Sequence, residues 1–356
     1  NIMSFNQFTN LDFADLRAQI KDYLRVNSDF SDFDFEGSNF STLIDLLAYN
    51  SYITAYNTNM AVNECFLDSA TLRENVVALA RNIGYVPRSS RSASATVNFS
   101  VDLGTNDTRI VILKAGQVAL GNQQGGQYIF SIPDDFVATV DDNNVALFNN
   151  LEIYEGVYLT KTFTYRESGD GVPTERFILP NSSIDTSTIK VSVSPNSTAT
   201  NLKTIYKLTD NIIDVNNNSL IFLLQEVADE KYEVIFGDGK FGKKLEDSNF
   251  ITVNYISTNG KDANGVDSFT FTGNIVDNSG VTVTEGIDDL QPSIIDGIIS
   301  KADNGADIES VSSIKKYAPL VYSAQNRAVT SDDYKAIITK IYANTESVSV
   351  YGGEDF

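Results

Sequence analysis

The residues with the clearest chemical potential lie at 237–242. Gly237-Asp238-Gly239-Lys240-Phe241-Gly242 matches G-x-G-x-x-G and follows an alternating apolar segment, Tyr232 to Phe236. In a dinucleotide site such glycines let the backbone approach a pyrophosphate, and the helix that the motif opens receives its charge. Here Lys243-Lys244-Leu245-Glu246-Asp247 leads within a few residues to the β pattern Ile251-Thr252-Val253-Asn254-Tyr255. With no helix to open, the pattern predicts a hairpin turn whose glycines supply positive φ. Gly237, Asp238, Gly239 and Gly242 are its structural residues, and no cofactor is expected.

Other routes to catalysis are narrow. The chain contains no His, which removes Ser-His-Asp and Cys-His triads, imidazole bases and His metal ligands. Carboxylate pairs of the kind glycosidases use remain, but 47 Asp and Glu residues give no way to select one pair. The run Asp29-Phe30-Ser31-Asp32-Phe33-Asp34-Phe35-Glu36-Gly37 has the charge of a calcium loop, but its Gly and Glu positions do not fit one. It reads as a loop pinned by its Phe side chains, and no metal site is expected. Cys65 stands alone within a helical pattern and reads as a small buried hydrophobe.

Composition narrows the partners. Against 47 acidic residues stand 26 basic ones, a formal charge of −21, which argues against a nucleic-acid groove. The small basic cluster Arg81, Arg88 and Arg91 reads as a solvated linker. No window reaches the ~18 apolar residues of a membrane span, and the first residues have no signal-peptide pattern. With 21 Phe and 17 Tyr among its 356 residues the chain can bury sizeable cores, enough for two or three domains.

The N-terminal elements are helical. Phe13, Leu16, Ile20 and Tyr23 or Leu24 place a first helix over about Leu11–Val26, capped by Asn10 or Asp12. A second starts near Ser38 or Ser41 and runs to Glu64, with Leu46, Tyr49, Ile53, Tyr56 and Met60 spaced 3, 4, 3, 4. That is a narrow, coiled-coil-like stripe. A third is expected from Asp68 or Ser69, with Leu72, Val76, Leu79 and Ile83 on one face, Gly84 at its C-terminal cap and Pro87 beyond. These nine apolar residues are candidate interface positions. Intramolecular core is the commoner origin of such stripes, and an intermolecular bundle is the alternative.

Beyond residue 87 the period changes. Arg88 to Ala95 has linker composition, and from residue 96 short alternating strands separated by Gly, Asn and Asp turns run to about 290. Strands are expected at 97–101, 109–113, 128–132, 157–165, 176–179, 189–193, 220–224, 232–236 and 251–257, forming antiparallel sandwich-like or barrel-like subdomains, two in number. A small C-terminal α/β region is expected over 291–356. In it Ile308, Val311 and Ile314 share a helical face ended by Pro319. Thr330 caps a further helix, Ser331 to Ala343, in a capping box completed by Asp333, and Ser347 to Tyr351 alternates as a strand. The fold class is α+β.

Three segments resemble the baseplate wedge proteins of contractile-tailed, T-even-type bacteriophages, the baseplate J-like family. The first comprises Phe33-Asp34-Phe35-Glu36-Gly37-Ser38, Leu43-Ile44-Asp45-Leu46-Leu47-Ala48-Tyr49-Asn50, Asn59-Met60-Ala61, Phe66-Leu67-Asp68-Ser69-Ala70 and Gly84-Tyr85-Val86-Pro87-Arg88-Ser89. The second is Phe236 through Gly242. The third comprises Gly305-Ala306-Asp307-Ile308-Glu309-Ser310, Ala318-Pro319, Ala324-Gln325-Asn326-Arg327-Ala328-Val329-Thr330 and Asp333-Tyr334. The resemblance implies a structural, non-enzymatic virion protein, made in the host cytoplasm and built into the tail baseplate. The partners it implies are other wedge proteins, a second copy of the chain, and small sheath-initiating or tube-adjacent wedge proteins. A helical bundle would join them into a ring around the hub, whose rearrangement precedes sheath contraction. The rival readings are a tail-associated glycosidase and a host-surface adhesin, and the absence of Trp weighs against both.

Overall fold

A computed structural model describes residues 12–27, 38–104, 108–123, 125–167, 175–209, 215–295, 298–325, 327–342, 345 and 347–352. The acidic loop Asp29–Gly37 lies outside them. The chain divides into two compact units. One comprises residues 1–87 with 310–327, the other 88–309 with 328–356.

The first unit is helical: α1 (Phe13–Asn27), α2 (Asn39–Asn63), α3 (Arg73–Asn82) and α4 (Val311–Ala324). Asp12 caps α1, its carboxylate accepting from the amides of Ala14 at 2.8 Å and Asp15 at 3.2 Å. The Ser38 hydroxyl caps α2 by accepting from the amide of Ser41 at 3.0 Å. Such caps satisfy amides that the first helical turn leaves unpaired.

The third helix starts later than its periodicity predicts. Leu72 is its N-cap residue and is exposed, and residues 65–71 form turns. Glu64 supplies the cap from outside the helix. Its carboxylate accepts from the Thr71 amide and hydroxyl (2.7 and 2.6 Å), the Leu72 amide (3.3 Å) and Asn75 Nδ2 (2.8 Å). Burial alone pushes that carboxyl up, but the hydrogen bonds from Thr71, Asn75 and Leu72 outweigh it and hold it below the usual range. Gly84 follows α3 at φ +80, as a C-terminal cap requires. Cys65 is exposed, its thiol directed to the Ala61 carbonyl at 3.2 Å, because it lies just past the end of α2.

The sequence places 310–327 in a C-terminal region, whereas the structure places α4 with the N-terminal helices. Val76, Val77 and Ala80 of α3, with Ala70 and Tyr85, form one buried cluster with Ile314 and Ala318 of α4. Pro319 does not end α4 but lies inside it. The missing proline amide costs the helix one hydrogen bond, and burial of Ala318 and of Ile314 one turn earlier favours continuation. The helix ends at Gln325, left-handed at φ 48, and Ile308 precedes its start.

The second unit holds the strands β1 (Ser94–Asp102), β2 (Ile110–Leu113), β3 (Gly116–Gln123), β4 (Gly126–Ile132), β5 (Phe136–Thr139) and β6 (Val145–Glu155). Then come β7 (Val157–Thr164), β8 (Phe177–Ile178), β9 (Ile184–Ser194), β10 (Thr204–Leu208), β11 (Ile221–Glu226), β12 (Tyr232–Phe236) and β13 (Phe250–Ser257). The last are β14 (Phe269–Phe271), β15 (Ile275–Asp277), β16 (Thr282–Val283), β17 (Gln291–Pro292), β18 (Ile294–Ile295) and β19 (Ile298–Ile299).

A six-stranded sheet, β14-β3-β4-β6-β1-β17, faces a four-stranded one, β16-β15-β2-β5. Their shared core includes Val97, Phe99, Phe130 and Phe148 from the first and Val111, Leu113, Ala138 and Ile275 from the second. Alternation drives this: β1 reads intermediate-buried through eight residues, as a half-buried strand must. Phe99 stacks on Phe148 with ring centroids 4.4 Å apart.

The seven-stranded sheet, β7-β13-β9-β10-β11-β12-β8, encloses a separate core that includes Val191, Tyr206, Phe222, Val234 and Val253. Phe163 on β7 and Phe177 on β8 sit at opposite ends of the strand order, yet their rings are 5.5 Å apart. The sheet therefore curls on itself like a barrel. Among the described residues every strand pair is antiparallel except β10–β11.

Arg88 to Ala95 is not a solvated linker. Ser90, Ser92, Ala93 and Ala95 are buried, the Arg91 amide donates to Ala306 O at 2.8 Å, and β1 already begins at Ser94. Small side chains fit a strand entering a packed sheet as well as they fit a linker, so composition misleads here. At the other end, α5 (Ser331–Ile341) is a helix, but Ser347 to Tyr351 is not a strand. Alternation specifies a strand only where a partner edge satisfies its backbone.

Candidate assembly interface

The predicted stripe of α2 and the buried face of α2 are different faces. Ser41, Ile44, Ala48, Asn59 and Asn63 are the buried residues. Leu46, Tyr49, Ile53 and Tyr56 are exposed, Leu46 at 63% and Tyr49 at 56%, and Met60 is half-buried. Leu43 and Leu47 are exposed beside them. Apart from Ile44, this 25-residue helix turns small and polar side chains inward and most of its large apolar ones outward, unlike an ordinary amphipathic helix.

Helix α1 leaves that surface open. It contains no fully buried residue. It meets α2 through an ion pair between Arg17 Nε and Asp45 Oδ1 at 2.6 Å, with a further bond from the Arg17 guanidinium to Ser41 Oγ at 3.3 Å. Leu16, Ile20 and Tyr23 of α1 and Phe40, Leu43 and Leu47 of α2 line an apolar groove of about 690 Å³ between them. Contiguous exposed apolar surface of this kind marks interaction sites.

The candidate residues on α3 have another fate. Val76 is fully buried against α4, and Leu79 and Ile83 pack on the same cluster. The structure therefore separates the nine positions: Leu46, Tyr49, Ile53 and Tyr56 face outward, Met60 is half-buried, Leu72 is an exposed cap residue, and Val76, Leu79 and Ile83 pack within the chain. Leu16, Ile20 and Tyr23 were read in the sequence as the apolar face of the first helix but not as interface positions, and neither were Leu43 and Leu47. Leu46-Leu47 read with Leu43 gives a broad apolar arc, and that arc is the signal.

The glycine loop is a tight closed turn. The Asp238 carboxylate accepts from the amides of Lys240 (2.8 Å) and Phe241 (2.9 Å), which holds it below the usual range. The Gly239 amide donates to Gly242 O at 3.0 Å, and Gly239 has φ +86. A Cβ on Gly237 would lie 2.3 Å from the Gly242 carbonyl carbon. The turn is not a hairpin, however. β12 pairs with β11 and β8, β13 with β7 and β9, so the loop carries the chain between non-adjacent strands. No helix follows Gly242 before β13. The nearby shallow pocket holds Glu233, already engaged by Arg176 at 2.8 and 2.5 Å.

Thr330 and Asp333 form the reciprocal capping box of α5. Thr330 Oγ1 accepts from the Asp333 amide at 3.2 Å, and the Asp333 carboxylate accepts from the Thr330 amide at 2.8 Å. Among the described residues no cluster of three His, Cys, Asp or Glu is placed to hold a metal, and no helix is long and apolar enough to cross a membrane.

The helices that carry the exposed stripe are also where a known family matches. Residues 12–85 fit the family described as baseplate wedge protein gp6-like, helical domain. The match extends well beyond the helices in one relative, the baseplate wedge protein gp6 of Enterobacteria phage T4. It is 26% identical over 349 residues, covering 93% of this chain and 50% of gp6. This chain is similar to phage baseplate wedge proteins. It spans about half the length of the curated wedge protein it matches. A further likeness is to a solved structure, the six-fold symmetrised baseplate of the anti-feeding prophage. That likeness has a TM-score of 0.30 and 12% identity, covering 96% of this chain and 66% of the other. The sequence similarity to gp6 covers both the helices and the sheets, and the α1–α2 surface lies within residues 12–85, the part that the family describes.

Proposed function

We propose that this chain is a structural component of a contractile-tail baseplate wedge in the phage virion, with no catalytic role, and that the outward face of α1 and α2 is its assembly surface. Its partners there are a second copy of the chain and other wedge proteins, bundled through Leu46, Tyr49, Ile53, Tyr56 and Met60. Small sheath-initiating or tube-adjacent wedge proteins join the same region. The wedges close into a ring around the hub, and rearrangement of that ring precedes sheath contraction. One observation carries the reading: within the segment that matches the wedge helical domain, α2 turns Leu43, Leu46, Leu47, Tyr49, Ile53 and Tyr56 outward. Most helical stability in proteins comes from packing an apolar face, and partner helices would cover the stripe.

Ile53 sits mid-stripe and is partly exposed. Ile53→Asp would place a carboxylate in a desolvated seam at a cost of several kcal/mol. Co-purification of tagged chain with an untagged copy and with other wedge proteins should be abolished. Circular dichroism and protease resistance of the strand-bearing unit should be unchanged. Normal assembly of the variant would place the interface elsewhere, and collapse of the sheets would make the stripe ordinary core.

A further inference from the structure

Within the second unit the chain leaves the sandwich at Glu155–Val157, between β6 and β7, and returns at Ser257–Asn259 after β13. The two crossings lie side by side, since Val157 and Ser257 are cross-strand partners. Residues 157–257 are therefore an inserted domain with adjacent ends. The apolar cores of sandwich and insertion share no residue. Domains that lack a large apolar interface move relative to one another by default.

The joint between them is polar and buried. Glu155, at the end of β6, is fully buried. Its carboxylate accepts from the Thr258 hydroxyl at 2.6 Å, the Asn259 amide at 3.0 Å and Asn259 Nδ2 at 2.9 Å, tying the outgoing crossing to the returning one just past β13. Asp185 of β9, also buried, reaches the other way and accepts from the Ser92 amide at 2.8 Å. Ser89 and Thr186 hydroxyls meet at 2.8 Å, and Ser131 Oγ donates to Gly156 O at 2.8 Å. The exposed pair Lys190–Asp134, at 2.8 Å, adds little. Burial pushes the Glu155 carboxyl up, opposed by its bonds to Thr258 and Asn259 and reinforced by the Asp262 charge. A buried carboxylate is tolerated only while its donors are in place. Such a contact holds one geometry and, unlike an apolar interface, cannot slide.

We propose that residues 155–157 and 257–259 form a two-strand hinge and that the Glu155 carboxylate is its latch, holding the two crossings together until the clasp opens.

The test uses the full chain with Cys65→Ser, spin-labelled at Leu147→Cys in the sandwich and Leu202→Cys in the insertion, both exposed positions. The parent should give one narrow distance distribution. Glu155→Ala should broaden it roughly twofold or split it, as a rigid-body hinge predicts, while hydrogen exchange within each core stays protected. A distribution as narrow as the parent's overturns the latch. So does loss of protection in both cores, which would make Glu155 a determinant of folding. Should Glu155→Ala fail to yield protein, Thr258→Val removes a donor from the opposite side. Broadening again supports the hinge, and an unchanged distribution rejects it.

Discussion

Helix α2 and strand β9 both carry apolar residues at regular spacing, and they dispose of them in opposite ways. In β9 the alternation sends Ile189, Val191 and Val193 into the core of the inserted domain, with Lys190 outside. In α2 the regular stripe points out of the chain, and contacts within the chain are made by Ser41, Ile44 and Ala48. A strand in a curled sheet has one concave side, so its pattern and its burial must agree. A helix in an open pair has no such constraint. Its best apolar face is free for another molecule, and a poorer one suffices to hold it to its own chain. Periodicity therefore reports that a face will be buried, not in which molecule.

The largest stability effect should come from the closed cores. Phe148→Ala removes a ring stacked on Phe99 and should cost ~3–5 kcal/mol in denaturant unfolding followed by the strand signal. Little loss would mean that the sandwich core repacks freely, and the contrast with α2 would weaken. Ile314→Ala sharpens the comparison inside the helical unit. It opens the α3–α4 cluster and should cost ~2–5 kcal/mol, read from the helical signal. If it is silent, α4 is held by other contacts.

Smaller effects test local structure. Gly239→Val forces a β-branched residue to φ +86 and should cost ~1–2 kcal/mol in thermal unfolding. An unchanged midpoint would mean that the turn relaxes. Thr330→Ala removes one half of the capping box and should cost ~1 kcal/mol. The smallest expected stability change is at Leu46→Asp. Because Leu46 is largely exposed, the unfolding free energy of the lone chain should stay within ~0.5 kcal/mol of the parent. Co-purification with partner chains should nevertheless be lost. A strongly destabilised lone chain would show that Leu46 is core, and the two regions would no longer differ in kind.

What the sequence by itself determined was mostly local. The β strands at 97–101, 157–165, 232–236 and 251–257, the start of α2 to within Ser38 or Ser41 and the Thr330–Asp333 box were legible because each is specified by a few neighbouring residues through alternation or capping. The similarity to wedge proteins was legible in quoted segments for the same reason. Tertiary structure alone decided the rest. It took Pro319 into the middle of α4 because Ile314 and Ala318 have apolar partners on α3, more than 200 residues earlier in the chain. It buried Ser92 and Ala93 because a β sheet and the Asp185 carboxylate received them. It turned Tyr49, Ile53 and Tyr56 outward because α1 ties to α2 through Arg17 and Asp45 and lines a groove that reaches only Leu46 of the stripe. In each case the deciding energy lies in contacts between residues far apart in the chain, and no local pattern encodes those.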